Sequence, residues 1–173
     1  MIRAITRGHS LPTVLIAGAY TAAVLTLTWL TTGGYLGDRL YGSLFMAMIA
    51  FPLSLVASPL SEALKGAVLG PNDSPAYWEY SDDLEYALMS WPGIVTAVVL
   101  VLLLTRRSTR LVGLGAGWVL NAAVILAGVS TAYDQWAPRR PYGWPFLVFG
   151  LIMAIGLITA HLSAPREAVA EKV

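Results

Sequence analysis

Apolar residues fill this chain in long blocks, and the charged positions are confined between them. Five runs carry no Asp, Glu, Lys or Arg: Ser10–Gly37, Leu40–Ser61, Tyr86–Thr105, Leu111–Tyr133 and Pro141–Pro165, the shortest being 20 residues. A helix rises about 1.5 Å per residue, so about 20 residues cross the roughly 30 Å of hydrocarbon in a bilayer. Charged side chains are costly at mid-bilayer, which accounts for their exclusion. The pattern predicts an all-α, polytopic transmembrane helix bundle of five spans. They cover roughly 12–32, 40–58, 84–104, 111–129 and 144–162 in a single domain, with a mobile polar tail over 163–173.

Turn and cap residues set the boundaries. Pro12 suits a helix start, and Gly33-Gly34 ends the first span. Trp29, Tyr35 and Tyr41 flank that end, as amphipathic rings do at headgroup level. Pro52 should kink the second span by removing a hydrogen bond and crowding the preceding turn, and Pro59 should stop it. Leu60–Leu69, with Glu62 and Lys65, is mildly amphipathic and reads as an interfacial helix. Gly70–Ser81 is dense in turn formers. Ser81, Asp82 and Asp83 are cap candidates for the third span. The short Arg106–Arg110 connection makes spans three and four antiparallel neighbours.

An alternative stays open at the second run. If the segment broken at Pro52 dips in and returns, four spans plus one re-entrant segment remain. Five spans divide the basic residues nearly evenly, six (Arg39, Arg106, Arg107, Arg110, Arg166, Lys172) against five (Arg3, Arg7, Lys65, Arg139, Arg140). Four spans divide them seven (Arg3, Arg7, Arg106, Arg107, Arg110, Arg166, Lys172) against four, a clearer asymmetry for the positive-inside rule. Re-entrant backbone must be buried in protein or line a cavity, which a small bundle provides poorly, so five spans are preferred. The Arg106/Arg107/Arg110 cluster is placed in the cytoplasm of a multi-pass cell-membrane protein.

Composition narrows the chemistry. Only 12% of the 173 residues are charged, about half the roughly 25% of a soluble domain. A net charge of +1 argues against nucleic acid as a partner. The absence of cysteine excludes disulfides and thiol catalysis. No span carries an ionic residue at mid-depth, so no proton relay, ion-coupled site or voltage sensor is evident. HExxH, nucleophile-elbow and P-loop motifs are missing, and neither cofactor nor metal is expected.

Two groups of residues carry candidate chemistry. Glu79, Asp82, Asp83 and Glu85 could offer hard oxygen ligands to a divalent cation, or receive a cationic ligand beside Tyr77, Trp78, Tyr80 and Tyr86. Helix capping alone also explains acids there. Both topologies place this loop on the same side as Arg139 and Arg140, so Arg–carboxylate pairs could join the two loops into one aromatic cap. Small residues recur at four-residue spacing in Gly18/Ala22, Gly113/Gly117, Gly150/Ala154 and Gly156/Ala160. They allow close helix approach, either within the bundle, which is preferred, or across a homo-oligomer face. Asn121, the one strong amide deep in a span, is expected to bond a neighbouring helix.

The stretch from Gly42-Ser43-Leu44-Phe45 through Pro52-Leu53-Ser54-Leu55, the aromatic-acidic loop after it and the span ending in Arg106-Arg107 resemble small multi-pass membrane proteins of actinobacteria. That resemblance covers under half of the chain and implies a membrane bundle, with no activity and no site residue. The expected function is a non-enzymatic integral membrane bundle, in contact with membrane lipids, that associates with another membrane protein or with itself. The alternatives are a small transporter or channel, and a membrane-surface enzyme using Asp82, Asp83 or Glu85 as acid or base.

Overall fold

The computed structural model describes residues 10–69 and 82–170, with side chains at 11–57, 59–68 and 86–163. Its elements are all helical: α1 (Ser10–Thr32), α2 (Arg39–Ile49), α3 (Ser54–Leu69), α4 (Asp82–Thr105), α5 (Arg110–Ala132), a 3-10 turn (Ala137–Tyr142) and α6 (Gly143–Ala170). No strand occurs among the described residues. Among the described residues, four stretches are long and apolar enough to cross a membrane: Leu11–Thr32, Tyr86–Thr105, Arg110–Ala132 and Ala137–Ser163. Helix α6 continues to Ala170, into the stretch expected as a polar tail.

The chain divides into two compact units, one of Met1–Ala23 with Ala97–Val173 and one of Val24–Thr96. In the second unit, α1 ends where Gly34 takes a φ of 72°, open to glycine at no steric cost. Tyr35 N donates to Leu30 O at 3.0 Å and Gly34 N to Thr31 O at 3.2 Å, the paired bonds that satisfy the last carbonyls of a helix. Asp38 then starts α2 by accepting from Leu40 N at 2.8 Å.

The expected second span is not one continuous helix. Helix α2 stops at Ile49, the chain bends through residues 50–53, and α3 begins at Ser54. Pro52 supplies no N–H to the helical ladder. The Ser54 hydroxyl donates to Ala47 O at 2.7 Å, occupying a carbonyl in the last turn of α2. Helix α2, at 11 residues, is about 16 Å long, roughly half the hydrocarbon thickness. The expected stop at Pro59 does not occur, and Pro59 lies inside α3.

In the first unit, α5 and α6 pack antiparallel through glycines. A methyl group on Gly117 would sit 2.7 Å from Leu157 Cδ2, and one on Gly150 would sit 2.5 Å from Ile125 Cγ1. At the tight end, a methyl on Gly143 would meet the backbone of Ala132 and lie 2.5 Å from Gly128 O. Arg110 Nη2 donates to Ala160 O at 3.0 Å and ties the other end. Gly113 lies against the backbone of Leu103 and Leu104, placing the end of α4 beside the start of α5.

These contacts predict opposite outcomes for two alanine substitutions. Gly143→Ala forces backbone apart and should destabilise the protein by about 1–3 kcal/mol. Gly115→Ala meets open space, so higher helix propensity should stabilise it by up to about 1 kcal/mol. Thermal unfolding in detergent measures both, and equal effects would contradict the packing described.

Candidate functional site

The candidate residues of the Arg–acid cap are placed only in part. Glu79 lies outside the described residues, as do the side chains of Asp82, Asp83 and Glu85. Arg139 and Arg140 are described, and both engage Asp134, an acid of their own loop. Arg139 Nη1 donates to Asp134 Oδ2 at 3.0 Å, and Arg140 Nε donates to Asp134 O at 2.8 Å. Asp134 Oδ1 also accepts from Trp136 N at 2.8 Å, an Asx turn that starts the 3-10 segment. The Arg139 guanidinium stands 4.9 Å from the Trp136 ring centroid, a cation–π distance. With side-chain exposures of 14% and 16%, the Arg139–Asp134 pair is shielded from solvent. It folds the α5–α6 connection locally. Sequence reasoning overlooked Asp134 because the acids before α4 are denser. Its spacing of two residues before the Trp136 amide was the available signal.

The packing candidates lie inside the first unit. Gly113, Gly117 and Gly150 are buried, and Ala154 is half-buried. Asn121 is buried on α5 beside Gly150 of α6, where a methyl on that glycine would lie 3.7 Å from the amide oxygen. Asn121 Oδ1 is buried without a hydrogen-bond partner. The expected bond to a neighbouring helix is therefore not made through this oxygen.

A feature that sequence reasoning missed is a cleft of about 190 Å³ in the second unit. Ser43, Met46 and Ala47 of α2 line it, with Ser54, Ala57, Ser61, Glu62 and Lys65 of α3 and Leu88, Met89 and Pro92 of α4. In one straight helix, Ser43 and Lys65 would be about 33 Å apart. Sharing a cleft this small means that the chain reverses at the bend. Ser54, Ser61 and Lys65 recur at helical spacing and face the cleft. On the other side of α3, Leu55, Val56, Leu60 and Leu64 are exposed. Helix α3 is thus amphipathic in the inverted sense, with the Ser54 and Ser61 hydroxyls turned inward and its leucines outward. The serine spacing was legible in the sequence, but its inward direction was not.

The cleft has ordered polar chemistry. Ser43 Oγ donates to Arg39 O at 2.9 Å and Ser54 Oγ to Ala47 O. Ser61 Oγ accepts from Trp91 Nε1 at 3.1 Å, a bond that joins α3 to α4. Lys65 Nζ lies 3.2 Å from Glu62 Oε1, with the lysine side chain 27% and the glutamate 67% exposed. No group of three or more acidic or histidine residues placed to hold a metal occurs among the described residues.

The fold is that of a helical protein with four membrane-length helices among the described residues. Comparison with protein-family models, curated proteins and solved structures finds no match to this chain.

The Asn121 site yields a stability prediction. Leucine keeps the branched outline of asparagine and leaves no unpartnered oxygen, so Asn121→Leu should stabilise the protein by about 1–2 kcal/mol. Thermal unfolding in detergent reads the change, and a loss of stability would show that the amide makes a needed bond.

Proposed function

We propose that this chain is a multi-pass protein of the cell membrane that acts by binding a small molecule rather than by catalysis. Four spans cross the bilayer, and α2–α3 form a re-entrant hairpin between the first and second spans. The cleft inside the hairpin is the binding site. The observation that carries this reading is the inverted polarity of α3. A helix lying on a soluble protein turns apolar residues inward. One that exposes Leu55, Val56, Leu60 and Leu64 while turning Ser54, Ser61 and Lys65 into a cleft suits hydrocarbon outside and water inside. The cleft also meets the condition for re-entrant backbone, which must be buried or line a cavity.

The seven-to-four division of basic residues supports this topology, with the Arg106–Arg110 turn on the cytoplasmic side. Association with another membrane protein or a second copy has less support. The Gly113, Gly117 and Gly150 positions that suggested it are engaged by Leu103, Leu157 and Ile125 within the bundle.

Single cysteines test both parts cleanly, because the chain has none. Tyr35→Cys and Gln135→Cys should react with a membrane-impermeant maleimide from one face, and Ser108→Cys from the other. Five full spans would instead put Tyr35→Cys and Ser108→Cys on the same face. For the cleft, Ser43→Cys should react with a small water-soluble thiol reagent while its neighbour Leu44→Cys, facing outward at 63% exposure, stays protected. Protection of Ser43→Cys would remove the hydrated cleft.

A further inference from the structure

Among the described residues, the charged groups lining the cleft are one acid and one base, 3.2 Å apart on α3. We propose that the cleft takes the phosphoethanolamine headgroup of a membrane phospholipid. Its phosphate sits on Lys65 and Ser61, and its ammonium sits on Glu62. This inference rests on the re-entrant reading above and names the ligand class for the same site.

Depth points to a lipid. From the bend at Ser54 to Lys65 the helix climbs about 17 Å, and half the hydrocarbon thickness is about 15 Å. With the bend near mid-bilayer, Glu62 and Lys65 stand at headgroup level, as Arg39 does at the start of α2. A ligand that meets this charged pair from the membrane therefore presents its polar head there. Its acyl chains run along the exposed Leu60 and Leu64.

Hydrogen bonding points to an oxyanion. Ser43 and Ser54 direct their protons to backbone carbonyls. Ser61 differs, because it accepts from Trp91 Nε1. That bond fixes its oxygen and turns its own proton away from the indole, leaving a donor one turn before Lys65 on the same stripe. A lysine ammonium has three donors, and Glu62 occupies one of them in the described residues. Trp91, Ser61 and Lys65 thus form an oriented donor set for an oxyanion, with the Glu62 carboxylate beside it for a cation.

Size and charge balance point to a small zwitterion. The cleft, at about 190 Å³, is below the roughly 300–1,000 Å³ of pockets for drug-sized ligands, so its occupant is small. Opposite charges on the lining balance a zwitterion, whereas a bare anion would leave Glu62 opposed to it. A primary ammonium donates hydrogen bonds to a carboxylate and a trimethylated one does not, which separates ethanolamine from choline headgroups.

The test uses the full chain in phosphatidylcholine nanodiscs, doped with phosphatidylethanolamine or phosphatidylglycerol, with retained lipid read by native mass spectrometry. The unaltered protein should retain phosphatidylethanolamine about tenfold over either other lipid. Glu62→Gln should erase the ethanolamine-over-choline preference, Lys65→Met should abolish retention, and Ser61→Ala should weaken it several-fold. Arg140→Gln, in the other unit, should change nothing. Equal retention of the three lipids, or a Lys65→Met protein that keeps its lipid, would overturn the inference. Displacement of the lipid by soluble phosphoethanolamine at low millimolar concentration would show a solute site and overturn the membrane source. If Ser43→Cys is water-reactive but no lipid preference exists, only the headgroup assignment falls. If Ser43→Cys is protected, the hydrated cleft falls as well.

Discussion

Hydrocarbon offers no partner to a bare N–H, C=O or charge, and the long apolar helices of this chain fit that constraint. Ionic residues sit between the apolar runs, and several threonine hydroxyls within them are satisfied by their own helices. Thr28, Thr31, Thr96 and Thr131 each donate to the carbonyl four residues earlier, at 2.7–2.9 Å. Such bonds let a span carry threonine without a second helix to receive it. Where helices end, short local motifs take over: the glycine turn after α1, the Asp38 cap on α2 and the Asp134 turn after α5. Each satisfies backbone groups at a helix terminus.

The same solvent removes the usual reason for helices to associate, because lipid tails are as apolar as leucine. Close contact has to supply the attraction. Along α5 and α6 it does so through Gly117, Gly128, Gly143 and Gly150, each with a neighbour where a methyl group would have to stand. Dispersion between backbones and aliphatic side chains at these distances is small per atom pair and large in sum. Arg110 adds a hydrogen bond to Ala160 O near the charged end of the pair, where a guanidinium can remain hydrated. The outward faces stay aliphatic, with Leu111, Val119, Leu126, Leu151 and Leu162 exposed.

Charge exclusion made the four long helices legible, since a run of that length free of ionic residues is what hydrocarbon demands. The glycines at 113, 117 and 150 were legible as packing residues for a similar reason, because close approach in lipid selects small side chains. The second run was harder. Pro52 announced a break, but a charge-free run reads the same whether the helix kinks and continues or turns back. Only the shared cleft, with Ser43 and Lys65 in one lining, distinguishes the two. The Arg139–Asp134 pair went unread because the acids before α4 are denser in sequence. A loop can close on its own aspartate five residues away, and Asp134 does so with three of its bonds inside the turn. Nothing in the order of residues around Ser61 revealed that an indole from 30 positions later would orient its hydroxyl.

Reversal at residues 50–53 and the inverted polarity of α3 are two consequences of one choice. A hairpin that enters hydrocarbon from one side must return its second arm alongside the first. The inner faces of both arms then see each other, and the outer faces see lipid. If the inner faces were aliphatic, α2 and α3 would close on one another and no cleft would remain. Serines at 43, 54 and 61 hold oxygen atoms on the inner side instead, with their hydrogen bonds largely met by backbone and by Trp91. The interior can therefore be polar without being unsatisfied, and in the re-entrant arrangement proposed above the ionic pair would stand at the rim, where the dielectric is high enough to keep both charges. A straight fifth span would have required the opposite arrangement. It would carry Glu62 and Lys65 beyond the far surface and hold Ser43 and Lys65 about 33 Å apart, too far to share one lining.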